Sequence, residues 1–292
     1  MAIHTISTPT PPNAASTSFP SRLNPVAMVR SLWAGRELTT QFAARRIKAR
    51  YKGQAFGFAW SITDPIITLA IYTFVFGLVL QRGTDPDASG GIARFALEVF
   101  AGIITFGLFR ETVGAAPMMV LGQPNFVKKV VYPLETLPVS QLLVSLFNYA
   151  TGLIVWIIGF AIFSETHIPS PRLLLVPVVL LPLGLLALGV SWFLASLGVF
   201  LRDLKSPTGS LLHMLFFLSA IFYRIDDVPE AYRWMIAINP LAQSVEAARA
   251  VMFGESWPDW SWWGGMTAAG LVLCVLGYAF FMKSRKAFAD VI

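Results

Sequence analysis

The stretch RRIKARYKGQAFGFAWSITDPIITLAIYTFVF, Arg45 to Phe76, decides the fold class. A dense basic run ends at Lys52, and the apolar segment that follows, Gly53 to Leu80, holds a single charge, Asp64. Lysine and arginine collect on the cytoplasmic side of a membrane-spanning helix. The stretch therefore reads as a cytoplasmic region that runs directly into a first membrane helix. Similar apolar blocks recur downstream, so the expected fold is an all-α integral membrane protein.

Composition points the same way. Of 292 residues, 55% are hydrophobic and only 13% charged, with a mean hydropathy of +0.64, whereas a soluble domain carries about 25% charge. The net charge of +6 comes from basic residues at helix ends rather than on one soluble face, which argues against nucleic acid as a partner. The single cysteine, Cys274, permits no intramolecular disulfide. Residues 1–24 are rich in Ser, Thr and Pro and lack an apolar core. They read as a disordered tail rather than a signal peptide.

A bilayer crossing takes about 20 apolar residues. Six candidate spans follow, at roughly 56–80, 96–120, 138–163, 173–200, 206–223 and 262–282. Arg110 and Glu111 interrupt the second, and Pro177 and Pro182 should kink the fourth. An even number of spans puts both termini on one side. With both termini cytoplasmic, the inside segments carry 15 Lys/Arg and the outside segments 6, the bias expected of a multi-pass protein of the cytoplasmic (inner) membrane.

Two segments outside the spans have a distinct pattern. Over residues 25–52, Val26, Val29, Leu32, Trp33, Leu38 and Phe42 approximate one face of a helix, and Arg30, Arg36, Arg45, Arg46, Lys48, Arg50 and Lys52 fill much of the rest. This is an amphipathic helix at the cytoplasmic interface, serving either as a topological anchor or as a contact for a partner. The transmembrane domain then covers 53–292. From Arg224 to Ser261 the chain is too polar for a span and too apolar for a loop. YRWMIAI and PLAQSVEAARAVMF, separated at Asn239–Pro240, read as two short helices, either re-entrant or lying on the surface.

Chemistry-bearing motifs are missing. No G-x-x-x-x-G-K-[ST] phosphate loop and no G-x-S-x-G elbow occurs, and His4, His167 and His213 are isolated. The chain is not expected to be an enzyme, to hold a metal or cofactor, or to bind ATP itself. The loop GQPNFVKKVVYPLETLP, Gly122 to Pro138, alternates Phe126, Val127, Val130 and Val131 with Lys128 and Lys129. A short helix of this kind can dock in a groove of another subunit, although an ordinary loop carrying positive-inside charge would look alike.

RYKGQAFGFAWSITDPIITLAIYTFVF, NFVKKVVYPLETLPV, FLRDLKS, INPLAQSVEAAR and KSRKAFADVI occur in this order. Together they resemble the membrane subunit of a type-2 ABC exporter of the polysaccharide and polyol-phosphate export family, over about residues 25–292. The resemblance implies a homodimer with two copies of a separate ABC ATPase, which would bind ATP and magnesium. It also implies a lipid-linked polysaccharide substrate such as O-antigen or capsule, with periplasmic export proteins as further partners alongside membrane lipid. Asn125, Phe126, Val127, Lys128, Lys129, Val130 and Tyr132 would form the ATPase-coupling helix, and the segment around Arg30–Lys52 the interface helix. The short helices after Ile225, with Tyr232, Trp234, Asn239 and Pro240, would be periplasmic gate helices. The first, second and fifth spans would line the pore. Family members often carry a neutral residue where this chain has Asp64.

Arg46, Arg50 and Lys52 stand where a cytoplasmic mouth would meet a lipid phosphate. Aromatic faces suit sugar C–H surfaces, so Trp60, Tyr72, Phe106, Phe109, Phe217 and Tyr223, with the polar Asp64 and Arg110, are the candidate pore-lining residues. Trp257, Trp260, Trp262 and Trp263 read as an interfacial belt. The rival readings are a type-2 ABC exporter of a smaller lipid or drug, a secondary transporter without an ATPase, and a membrane-embedded enzyme of cell-wall assembly. No matching inverted halves support the second, and no clustered acids or histidines support the third.

Overall fold

The computed structural model describes residues 25–53, 57–79, 91–124, 133–164 and 168–292. The expected tail at 1–24 and the expected coupling residues Asn125 to Val130 and Tyr132 lie outside the described residues. Among the described residues every regular element is helical. In chain order these are α1 (Pro25–Ala34), α2 (Arg36–Tyr51), α3 (Trp60–Tyr72), α4 (Gly91–Ala115), α5 (Thr136–Phe163) and α6 (Val176–Val179). They continue with α7 (Leu181–Phe200), α8 (Lys205–Leu218), α9 (Glu230–Ala237), α10 (Pro240–Phe253) and α11 (Trp260–Val291).

Among the described residues five stretches are long and apolar enough to cross a membrane: Gly57–Val75, Gly91–Met118, Thr136–Phe163, Pro171–Phe200 and Trp260–Val291. They match the first four expected spans and the sixth. The expected fifth span, 206–223, is not one helix. α8 has 14 residues, about 21 Å at 1.5 Å per residue, short of the ~30 Å hydrocarbon layer. The physical reason lies at its end. Ser219 Oγ donates back to Leu215 O at 2.5 Å, Ala220 takes a left-handed φ of 53°, and the carbonyls of Ala220 and Ile221 accept from Arg249 instead of from a following helical turn. The fourth span is broken as its prolines require. Pro177 and Pro182 each sit in the first turn of a helical piece, where a missing N–H costs nothing.

The N-terminal helix also departs from expectation. It is two helices, α1 and α2, parted at Gly35, where a Cβ would come within 2.9 Å of Thr136 Cγ2. The break turns Met28, Thr39, Phe42 and Ala43 inward and leaves Val26, Val29, Trp33 and Leu38 exposed. The predicted apolar stripe is therefore split between the protein and its surroundings. Thr39 joins the buried face because its hydroxyl donates to Gly35 O at 2.9 Å.

Among the described residues two large cores and a small third one, Ala220, Ile236 and Ala242, hold the bundle. Of the large two, one gathers Phe100, Phe106, Trp156, Leu183, Ile221 and Met252 around α4. The other joins α1 and α2 to α7 and α11 through Met28, Phe42, Trp192, Tyr278, Phe281 and Phe288. α7 and α11 cross backbone to backbone: a Cβ on Gly189 would lie 2.6 Å from the Leu273 carbonyl carbon, and one on Gly277 would strike Gly189 O. The bundle thus has a basal end, with α1 and the C-terminal part of α11 tied together at Glu135. At its distal end the start of α4 meets the segment from Ser219 to Asp259.

Candidate functional site

At the basal end, α2 lays two arginines one turn apart against the bundle. Arg46 Nη1 donates to Gln141 Oε1 at 2.6 Å, and Arg50 Nη1 lies 3.6 Å from Glu111 Oε1. Glu111 also accepts from Asn148 Nδ2 at 2.5 Å, and its own carbonyl receives Gln141 Nε2 at 3.5 Å. A cavity of about 190 Å³ opens beside this network, lined by Arg50, Ser61, Asp64, Arg110, Glu111 and Asn148 among others. Arg50, Asp64 and Arg110, far apart in sequence, therefore meet in one polar chamber. Lys52 follows α2 exposed and outside the chamber lining, and Trp60 opens α3, half-buried and also outside it. Charges at membrane depth persist where they pair or face a cavity, and this chamber supplies both conditions.

Farther along the bundle three of the expected aromatics, Tyr72, Phe106 and Phe217, join one cluster through Phe216 and Phe222. Phe216 packs on Phe106 at 5.5 Å, on Phe217 at 5.4 Å and on Phe222 at 5.3 Å, and Phe222 packs on Tyr72 at 5.8 Å. Phe106, like the expected Phe109, is buried within the subunit and does not reach its surface, whereas Phe217 is 62% exposed. Tyr223 donates its hydroxyl to Phe217 O at 3.1 Å, which holds the turn after α8 in place.

Asn239 and Pro240 are structural residues at the expected gate. Asn239 caps α10 by accepting from Leu241 N at 3.0 Å, and its Nδ2 donates to Leu218 O at 2.9 Å. One side chain thus ends α8 and begins α10, with Pro240 at the first helical position. Tyr232 and Trp234 on α9 are 63% and 65% exposed.

Three features escaped the sequence reading. Arg249 on α10 is 3% exposed. Its guanidinium donates to Glu98 O at 2.9 Å, to Ala220 O at 2.8 Å, to Glu246 Oε1 at 3.2 Å and to Ile221 O. A Cβ on Gly102 would come within 2.9 Å of it, so α4 offers glycine there. Second, Arg94 and Arg224 share Glu98 and Glu255: Arg224 Nη2 lies 3.1 Å from a carboxylate oxygen of each, and Arg94 pairs with both. Third, Glu135, 5% exposed, follows the coupling segment. It accepts from Arg285 at 2.8 Å and from Ser31 at 3.4 Å, and its carbonyl receives the Trp192 indole N–H at 2.9 Å. The signal in sequence was only that INPLAQSVEAAR and YPLETLP carry charges in otherwise apolar settings. Among the described residues no group of His, Cys, Asp and Glu could hold a metal ion.

Comparison with known proteins places this geometry. The chain resembles an O-antigen export system permease protein, RfbA, from Myxococcus xanthus. The two are 26% identical over 268 residues, covering 91% of this chain and 99% of that protein. A protein of the same name from Klebsiella pneumoniae is 24% identical over 88% of this chain and 95% of its own length. The polysialic acid transport protein KpsM of Escherichia coli is 29% identical over 72% of this chain and 79% of its own. Residues 37–253, from α2 through α10 and so including the basal chamber, the aromatic cluster and the distal charged cluster except Glu255, match the ABC-2 type transporter model, and the chain belongs to that family.

Proposed function

We propose that this chain is the permease subunit of an ATP-driven exporter that moves lipid-linked surface polysaccharide, of the O-antigen or capsule type, across the cytoplasmic membrane. The observation that carries the reading is the near end-to-end match to permeases named for O-antigen export. A smaller lipid or drug as cargo is the less favoured alternative, and a secondary transporter does not fit the family.

The physical arrangement suits the task. Both termini are cytoplasmic, so the basal chamber faces the side where a lipid-linked glycan is made. Arg50 and Arg110 then meet the lipid phosphate, and Asp64 and Glu111 keep the chamber hydrated and the arginines extended. Two copies of the chain enclose the path between them. The exposed faces of α3 and α8, with Ile62, Ile66, Ile71, Met214 and Phe217, are the surfaces a second copy and the sugar chain would share. α8, with the re-entrant pair α9 and α10, completes the sixth crossing. A separate ABC ATPase binds ATP and magnesium, and its closure pushes on Asn125–Tyr132. Glu135 passes that push to α1, α7 and α11 through its three partners.

Two experiments test this reading. In a strain lacking the chain, surface polysaccharide should disappear and return with the wild-type gene; unchanged surface polysaccharide would overturn the cargo assignment. In detergent, an ABC ATPase should co-purify with wild type and be lost with Phe126→Asp. Its absence from both, with the dimer intact, would overturn ATP-driven export.

A further inference from the structure

At the distal end, outside the path described above, lies a pocket of about 320 Å³ whose lining includes Trp257, Trp262 and Trp263. It exists because α10 ends in a tight reversal. Gly254 takes a left-handed φ of 71°, and a Cβ there would strike Ser170. The reversal lays Glu255 to Asp259 back over α10. Arg172 fixes the loop by donating to Gly254 O at 2.6 Å while its guanidinium stacks 4.9 Å from the Trp257 ring. Trp263 is fixed separately, its indole N–H donating to Val178 O at 2.9 Å. The aromatic walls are thus held before any ligand arrives.

The polar part of the lining is mostly acceptors. Glu246, Glu255 and Asp259 bring three carboxylates, Gln243 an amide, and Arg224 the lining's one guanidinium. Asp259 uses Oδ1 to cap α11, accepting from Ser261 N at 3.0 Å and Trp262 N at 3.2 Å, and Oδ2 takes no part in that cap. Gln243 donates Nε2 to Ala237 O at 3.1 Å, which aims its carbonyl oxygen elsewhere. Flat aromatic faces beside hydroxyl-accepting carboxylates are what a pyranose ring presents itself to: C–H surface on one side, O–H donors around the rim. The volume lies at the small end of the range for ligand pockets.

We propose that this pocket binds one neutral sugar residue, and that Asp259, whose carboxylate makes no ion pair among the described residues while arginines pair with Glu246 and Glu255, turns away anionic sugars. Its place in export rests on the reading above, as a holding site for the glycan where it leaves the membrane; its ability to bind sugar does not. An outer-envelope glycan would present the same chemistry, and the two sources separate by whether the preferred probe matches a residue of the cell's own exported polymer.

The test is saturation-transfer NMR on the full chain in nanodiscs with methyl glycosides of mannose, galactose, rhamnose, N-acetylglucosamine and glucuronic acid. Wild type should transfer magnetisation to at least one neutral probe and not to the glucuronide. Trp257→Ala and Gln243→Ala should weaken that probe about tenfold, the size of one lost ring or hydrogen-bond contact. Trp260→Ala is the control: Trp260 stands beside Trp263 at 5.9 Å but outside the pocket lining, so it should leave binding unchanged. A tryptophan belt without a pocket would give no transfer to any probe, or equal losses in Trp257→Ala and Trp260→Ala. Either result, or equal binding of the glucuronide, overturns the proposal. Absence of sugar binding in a wild-type protein that restores surface polysaccharide would reject the pocket and keep the exporter.

Discussion

The two ends of α4 carry charges put to opposite uses. At the distal end Arg94 and Glu98 are absorbed into a network with Arg224, Glu255, Glu246 and Arg249, and the key guanidinium is buried against backbone carbonyls. At the basal end Arg110 and Glu111 face a chamber, with Arg50 47% exposed on its side chain. The distal cluster fastens the irregular segment after α8 to the bundle, satisfying carbonyls that no helix satisfies. The basal cluster leaves charge available to a visitor. The same helix is therefore anchored at one end and open to a chamber at the other, and the degree of burial decides which.

This contrast can be broken by experiment. The largest expected effect is Arg249→Met, which leaves several buried carbonyls and Glu246 without their donor. Removing one partner from a buried charged cluster costs about 3–5 kcal/mol, so thermal melting in detergent should fall sharply and yield should drop. A near wild-type melting curve would mean that the distal end is held by packing alone. Arg50→Gln should do the reverse: exposed pairs contribute about 1 kcal/mol or less, so melting should barely move while surface polysaccharide falls. If both melting and export were unchanged, the chamber would lose its role.

Glu135→Gln sharpens the comparison from a third position. The variant keeps hydrogen-bonding capacity but weakens the pair with Arg285. The ATPase should still co-purify, while export per ATP hydrolysed declines; a charge swap with Arg285→Glu and Glu135→Arg should recover part of it. Loss of co-purification instead would make Glu135 a docking residue.

The smallest effect belongs to Asp259. Its hydrogen bonds from Ser261 and Trp262 hold its pKa below the ordinary 3.8. A depressed carboxylate contributes stability that is complete above its unfolded pKa and disappears as pH falls through the folded value. Asp259→Ala should therefore melt slightly lower than wild type at neutral pH, and the difference should vanish below the ordinary carboxylate range. A difference that persisted in acid would show that the cap acts without its charge.

Much of this architecture is legible in the chain. Apolar blocks of the right length sit where five membrane-length helices stand, because a bilayer-spanning helix buries its own backbone and needs little from its neighbours. Asp64 and Arg110 were suspect from sequence because isolated charges in apolar surroundings are costly, and Arg50 because it stands near the end of a basic run at the expected cytoplasmic mouth. The aromatics were read as one class, yet Phe106 is buried and Phe217 exposed. Nothing in composition distinguishes them; which face of α4 is covered depends on what packs over it.

The sequence by itself determined the membrane-protein class, the concentration of basic residues toward one side and the absence of a phosphate loop. These are local quantities, set by runs of about 20 residues and by short motifs. Only the tertiary structure decided that α8 stops at Leu218, that Gly35 divides the N-terminal helix, and that Arg249 and Glu135 rather than Asp64 are buried charges. Those outcomes depend on partners 28 to 151 residues apart in the chain, as in Arg249 with Ile221 and Arg249 with Glu98. A charge pair formed over such a separation leaves no periodicity behind, since its geometry exists only once the helices between have packed.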